Sequence, residues 1–245
     1  MSQNERRRVL VTGASKGIGR AILRRLNEDG YWVTGIARTR PDDLQPDEEF
    51  HECDLTDAAA TEKRVKALTV QAPFYGLVNN AAMAPLTSLE DCTIKDMQDA
   101  FQLNLVAALV CAQCVLPGMK EIGAGRIVNF SSRAALGKEN RTAYSGTKAA
   151  LIGMTRTWAL ELARHNITVN IIAPGPIETE GYREGNLLDD PRTKALLSSI
   201  PLRRIGEPNE IANTVSYLLN ELSGFMTGQT LYVDGGMTIS AVKIG

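Results

Sequence analysis

Tyr144 and Lys148 lie four residues apart in the stretch AYSGTKAA, among residues too small to cover either side chain. In a helix that spacing puts both on one face. An ammonium beside a phenol favours the phenolate and draws its pKa down from about 10. A tyrosine tuned in this way can exchange a proton with a carbonyl or alcohol oxygen near neutral pH. Ser132 stands twelve residues upstream, directly after the apolar run GRIVNFS, and its hydroxyl can hydrogen-bond the same oxygen. Taken alone, Tyr-x-x-x-Lys is most often a surface pair. The spacing acquires chemical meaning only beside something that supplies the other half of a redox reaction.

That something is suggested by VTGASKGIGRA, residues 11–21. Gly13, Gly17 and Gly19 have the spacing of a dinucleotide loop. Gly13 permits a tight exit from a strand, Gly17 leaves room for a pyrophosphate at the backbone, and Gly19 lets the next helix pack close to the sheet. The free N–H groups and positive dipole of the helix N-terminus would face the phosphates. About 20 residues on, an NAD site carries an acid for the ribose hydroxyls. Here the chain reads IARTR, with Ala37 in the acid's place and Arg38 next. An arginine pairs with a 2′-phosphate that a carboxylate would repel, and Lys16 adds a second positive charge. NADP(H) is therefore expected over NAD(H).

The elements that must hold these residues follow from one rhythm. Short β-branched runs at 8–12, 32–37, 49–54, 76–80, 125–131, 167–174 and 229–236 alternate with helical patterns at about 17–29, 57–70, 93–117, 142–164 and 209–222. Alternation of this kind predicts a single-domain, Rossmann-like, doubly wound parallel sheet of about seven strands, with helices on both faces. Residues 178–207 mix charges, Gly and Pro, and read as a substrate lid rather than a boundary. The chain of 245 residues is 44% hydrophobic, enough for a full core. Its net charge of −1 gives no sign of a nucleic-acid partner. No apolar run reaches the roughly 18 residues of a membrane span. Arg6-Arg7-Arg8 reads as a solvated flank. Cys111 and Cys114 have CxxC spacing but sit in an apolar helical run and read as core thiols, as in a reducing cytoplasm; no metal site is expected.

Over nearly its whole length the chain resembles the short-chain dehydrogenase/reductase family. TGASKGIG, NNAA, LNLV, IVNFSS, YSGTK, APGPIET and YVDGG appear in that family's order and spacing. The resemblance implies a catalytic tetrad of Asn104, Ser132, Tyr144 and Lys148. Tyr144 would be the acid/base, Ser132 would polarise the carbonyl, and Lys148 would bind the nicotinamide ribose and lower the Tyr144 pKa. Asn104 would support a water leading to Lys148, and Ser131 is the lesser choice for the serine. The implied cofactor contacts are Gly13, Ser15, Lys16, Gly17, Ile18, Gly19, Arg38, Asp54 and Leu55, then Asn80, Ala81, Tyr144 and Lys148, and finally Pro174, Gly175, Ile177 and Thr179. One departure is Ala82, where the family usually has glycine.

The implied activity is NADP(H)-dependent hydride transfer between the nicotinamide and a ketone or secondary alcohol, a 3-oxoacyl-thioester-like or other small carbonyl substrate. The alternative is a non-catalytic NADP(H)-binding sensor or scaffold. The general look and IPLRRIGEPNEIA resemble the 3-oxoacyl-(acyl carrier protein) reductase group. Arg183, Arg192, Lys194, Arg203 and Arg204 are interspersed with Glu178, Glu180, Glu184, Asp189 and Asp190, which reads as solvated surface more than as a carrier-protein dock. A homotetramer is also implied, with Leu105, Leu109, Val110, Met154 and Trp158 beyond one buried helix stripe.

Overall fold

The computed structural model describes residues 6–183 and 190–240. Seven strands form one parallel sheet: β1 (Arg8–Thr12), β2 (Trp32–Ala37), β3 (Glu49–Glu52), β4 (Gly76–Asn79), β5 (Gly125–Phe130), β6 (Ile167–Pro174) and β7 (Thr230–Val233). Their spatial order is β3-β2-β1-β4-β5-β6-β7. The order reverses between β1 and β4, and at such a switch point the carboxyl ends of the strands open a crevice.

Both faces of the sheet are covered, which is why its central strands are apolar at nearly every position. Val9 and Val11 of β1 point toward α1 (Gly17–Glu28) and α8 (Pro208–Leu219). Leu10 points the other way, into a core shared with α2 (Ala58–Thr69), α4 (Ala107–Glu121) and α5 (Thr142–Leu162). Each such side chain contributes about 1.5–3 kcal/mol by leaving water.

The predicted helix over 93–117 is interrupted. Its first piece, α3 (Ile94–Phe101), starts with a reciprocal cap: Thr93 Oγ1 accepts from Asp96 N at 3.1 Å, and the Asp96 carboxylate accepts from Thr93 N at 2.9 Å. A π-helical turn, Gln102–Val106, separates it from α4. Together Ile94–Glu121 makes 28 continuous helical residues, and its apolar 18-residue window has a mean hydropathy of 1.7, which by length and composition is enough to cross a membrane. Here 50% of that apolar window is buried inside the fold, with α4 packed on α2 and β5.

Several expectations are corrected. Residues 178–207 are not irregular throughout: α6 (Glu180–Arg183) and α7 (Pro191–Ser199) lie in them, while Glu184 and Asp189 fall outside the described residues. The last helix ends at Leu219 because Asn220 is extended and its side chain caps the following turn through Leu222 N. Arg8 is not solvated. It is buried between the rings of Trp32 and Phe74, each 4.3 Å away, and paired with Glu49 at 3.0 Å. Leu105 is buried against Leu151 and Ile171 within the chain, so it is not available to a partner; Ile94, Met97, Phe101 and Leu160 are the large apolar residues exposed on these helices. Cys111 and Cys114 are buried free thiols, and burial holds the Cys111 thiol far above its ordinary range.

Candidate active site

The glycine loop connects β1 to α1 at the carboxyl edge of the sheet. Gly13 has φ +66°, a left-handed conformation that side-chain-bearing residues rarely adopt. A Cβ on Gly19 would stand 2.1 Å from the Gly13 carbonyl oxygen, so only glycine lets α1 approach the strand this closely. Asn80 braces the turn from β4: its Nδ2 donates to Thr12 O at 3.0 Å and Gly13 O at 3.2 Å. Thr12 Oγ1 accepts from the backbone N–H of Asn80 and Ala81. Ala82, where the family usually has glycine, does not have positive φ, so an alanine fits the backbone there without strain. Lys16 caps α1 with no side-chain hydrogen bond, and no acid stands in the first turn. The first N–H groups and the dipole are thus left for an anion.

Ala37 ends β2 buried, and Arg38 follows on the surface. Among the described residues the side chains of Arg38 and Lys16 have no hydrogen bond or ion pair, so both cations are available to phosphate. Asp54, after β3, accepts from Thr56 N at 3.0 Å and Thr56 Oγ1 at 2.8 Å. Those two bonds, and then the charge of Arg38, hold its carboxyl below the ordinary range. Leu55 turns its side chain into the core, leaving only backbone for a ligand; Ile18 likewise packs on the core, and Ser15 makes no side-chain hydrogen bond among the described residues. On the opposite rim, Gly175 N donates to Val233 O at 3.0 Å, and Gly206 N to Pro176 O at 3.0 Å. Ile177 is buried. A Cβ on Gly17 would lie 3.2 Å from Thr179 Cγ2, so the segment from Pro174 to Thr179 faces the glycine loop.

The proton-handling residues converge between β5 and α5. Ser132 follows β5 in an extended conformation, and its Oγ accepts from Ala134 N at 3.1 Å. Ser132 Oγ is also in hydrogen-bonding reach of the Tyr144 phenol. Ser131 is excluded from that position because its hydroxyl donates to Lys148 O at 2.8 Å from within the core. Lys148 is 2% exposed. Its Nζ donates to Phe130 O at 2.6 Å and sits 5.8 Å from the Tyr144 ring centroid. Asn104 is held in the π turn. Its Oδ1 accepts from Met83 N at 2.8 Å, and its Nδ2 donates to Met83 O at 3.0 Å and Thr147 Oγ1 at 2.9 Å. Its side chain therefore ties the loop after β4 to α5.

The expected lowering of the Tyr144 pKa by Lys148 is not what this structure has. Burial pushes the phenol above its ordinary value, opposed by the hydrogen bond with Ser132 and by the charge of Arg141. The same burial pushes Lys148 down to about 7, so near neutrality its charge is only partly present. Arg141 was missed by the sequence reading, although it lies one helical turn before Tyr144. Its Nη1 donates to Ala84 O and Pro85 O, and its guanidinium carbon is 6.0 Å from the Tyr144 ring centroid. Thr147, the partner of Asn104, was missed as well.

Known proteins resemble the chain over nearly its whole length. A family model described as Enoyl-(Acyl carrier protein) reductase matches residues 13–238. The L-xylulose reductase of Mus musculus is 40% identical over 240 residues, covering 94% of this chain and 96% of the other. The 3-oxoacyl-(acyl-carrier-protein) reductase FabG of Vibrio harveyi is 36% identical over 236 residues, covering 93% and 96%. Among solved structures, a blue fluorescent protein from a metagenomic library, in complex with NADPH, superposes with a TM-score of 0.85 at 32% identity, covering 96% of this chain and 98% of the other. With a parallel seven-stranded sheet, a glycine cradle at its switch point and a Ser-Tyr-Lys cluster beside it, the chain belongs to the short-chain dehydrogenase/reductase family.

Proposed function

We propose that this protein is an NADP(H)-dependent ketoreductase. The observation that carries the reading is the convergence of the Ser132 hydroxyl and the Tyr144 phenol beside an α1 whose N-terminus has no side-chain cap, flanked by two cations, Lys16 and Arg38, that are unpaired among the described residues. The residues fit the cofactor. The N-terminus of α1 would hold its pyrophosphate and Arg38 its 2′-phosphate. Asp54 would lie at the adenosine, Lys148 at the nicotinamide ribose, and the segment from Pro174 to Thr179 at the carboxamide. When bound, the nicotinamide supplies the hydride.

The chain's own residues handle the oxygen. Ser132 donates a hydrogen bond to the substrate carbonyl and fixes its orientation. As negative charge grows on that oxygen, Tyr144 gives up its phenolic proton to it, and in the reverse direction the phenolate takes the alcohol proton. Lys148, anchored at Phe130 O, is recharged as anionic groups approach and then favours the phenolate. Residues 178–207 would serve as a lid over the substrate. Relatives named for reducing xylulose and a 3-oxoacyl carrier protein support a ketone as the substrate class. A sensor or scaffold would not need the Ser132–Tyr144–Lys148 cluster. Exposed Ile94, Phe101 and Leu160 support assembly through α3 and α5 into a homotetramer, and four free cysteines fit a reducing cytoplasm.

Tyr144→Phe removes one oxygen and keeps the ring. NADPH binding, followed by fluorescence, should be nearly unchanged, while ketone reduction across a carbonyl panel should fall by about 10²–10⁴-fold. Retention of more than roughly a tenth of the turnover would show that the proton comes from another group.

A further inference from the structure

The loop between Ser132 and Tyr144 carries more positive charge than proton transfer needs. Arg133, Lys138 and Arg141 lie in it, and Glu139 is the only acid between Ser132 and Lys148. Two left-handed positions, Gly137 at φ +106° and Asn140 at φ +56°, fold the loop back on itself. Thr87 N clamps it by donating to Asn140 O at 2.9 Å, and Arg141 fixes it to the carbonyls of Ala84 and Pro85. The three cations are close enough to act on one another: desolvation first, then Arg141 and Arg133, lower the Lys138 pKa. Arg141 also acts on the phenol of Tyr144 and lies 6.0 Å from its ring centroid, so one member of the cluster borders the reacting group.

Ordinary surface cations commonly pair with nearby acids. Among the described residues, no carboxylate pairs with any of the three, and the side chains of Arg133 and Lys138 have no hydrogen bond. Arg133 Nε is buried without a partner among the described residues, a donor that the chain itself leaves unsatisfied. We propose that Arg133, Lys138 and Arg141 form an anion-binding lip beside Tyr144, and that the substrates are ketones carrying a carboxylate or phosphate. A guanidinium presents paired donors that fit either anion, and an ammonium adds a mobile point charge. The proposal rests on the ketoreductase reading and narrows its substrate class.

The test uses two matched pairs with NADPH: acetoacetate against ethyl acetoacetate, and dihydroxyacetone phosphate against dihydroxyacetone. For at least one pair, kcat/KM should be about tenfold or more higher for the anion, mostly through KM. The pair showing the preference distinguishes carboxylate from phosphate. Lys138→Glu, at an exposed position, should lower the anion-to-neutral ratio by at least about tenfold, and Arg133→Gln with Arg141→Gln should collapse it. Calorimetric titration of malonate and of inorganic phosphate into the NADP⁺-complexed protein gives a readout free of turnover, with the 2′-phosphate site already filled. Binding of one of them should be lost in Lys138→Glu. Turnover of the neutral ketones with no anion preference and no anion binding would overturn the lip while leaving the reductase reading standing. Anion binding that depends on Lys138, with no ketone reduced, would support the lip and overturn the reductase reading.

Discussion

Two cations are buried at opposite ends of the same sheet, and the protein treats them in opposite ways. Arg8, at the amino end of β1, is saturated. It donates to Thr34 Oγ1, Leu68 O, Ala72 O, Gln71 Oε1 and the Glu49 carboxylate, between two aromatic rings. Burial lowers the Arg8 pKa, and Glu49 works against that. Burial in turn raises the Glu49 carboxyl, but hydrogen bonds from His51 and Thr34 and the charge of Arg8 outweigh it, leaving a net lowering. Lys148, at the carboxyl end, is buried as deeply and has one carbonyl for its ammonium. The first cation is finished by the chain that carries it. The second is left incomplete, which is the mark of a group meant to meet a ligand.

The largest effect should come from breaking the finished site. Arg8→Met leaves Glu49 with its hydrogen bonds from Thr34 and His51 but without its arginine, and should destabilise the fold by about 3–5 kcal/mol, the cost of breaking a buried pair by removing one partner. Denaturant unfolding would measure it, and specific activity of the folded fraction should stay near wild type. A loss below roughly 1 kcal/mol, the range of exposed pairs, would mean the two ends do not differ in this way.

Lys148→Met should do the reverse. A lysine whose folded pKa is depressed to about 7 binds fewer protons folded than unfolded between that pH and about 10.4. Its cost to stability is therefore full below pH 7 and fades as pH rises through that window. The variant should unfold at higher denaturant than wild type at pH 7, by an amount on the order of a few kcal/mol, with the gap closing toward pH 10. Ketone reduction should be largely lost. A gap independent of pH would show that the amine is not held out of its charged form.

A third cation, Arg38, sharpens the contrast because it is exposed and, among the described residues, unpaired. Arg38→Asp should leave unfolding unchanged, since surface charges are worth little. It should weaken NADPH by about 1–3 kcal/mol, for a lost charged partner and a new repulsion. Equal wild-type dissociation constants for NADPH and NADH would remove Arg38 from the site.

The contrast also explains what could be read from the chain alone. Tyr144 and Lys148 are neighbours by helical periodicity, and the glycine loop is a run of consecutive residues, so both were legible. The seven strands were legible because each is short, apolar and bounded by turns. Arg8 was not: Thr34, Glu49 and Gln71 come from 26, 41 and 63 residues away, and a run of three arginines says nothing of what will enclose it. The Tyr144 field was misread for the same reason. Spacing brought Lys148 close, but desolvation depends on the whole surrounding shell, and it acted on both groups. The π turn at Gln102–Val106 leaves no compositional trace in an apolar run.

That turn has a consequence for how the chain can change. A π turn holds one residue more than the α-helical path needs, so the helix before it and the helix after it are out of phase by about 100°. Asn104 sits inside the extra turn and is tied to Met83 and Thr147. Excising a residue there would give a straighter and better hydrogen-bonded helix, yet it would swing α3 and its exposed face around the axis and pull Asn104 from both partners. The irregularity therefore works as a gear tooth. It fixes the rotational setting between the outer surface of the molecule and its chemistry, and neither can drift without stripping the other.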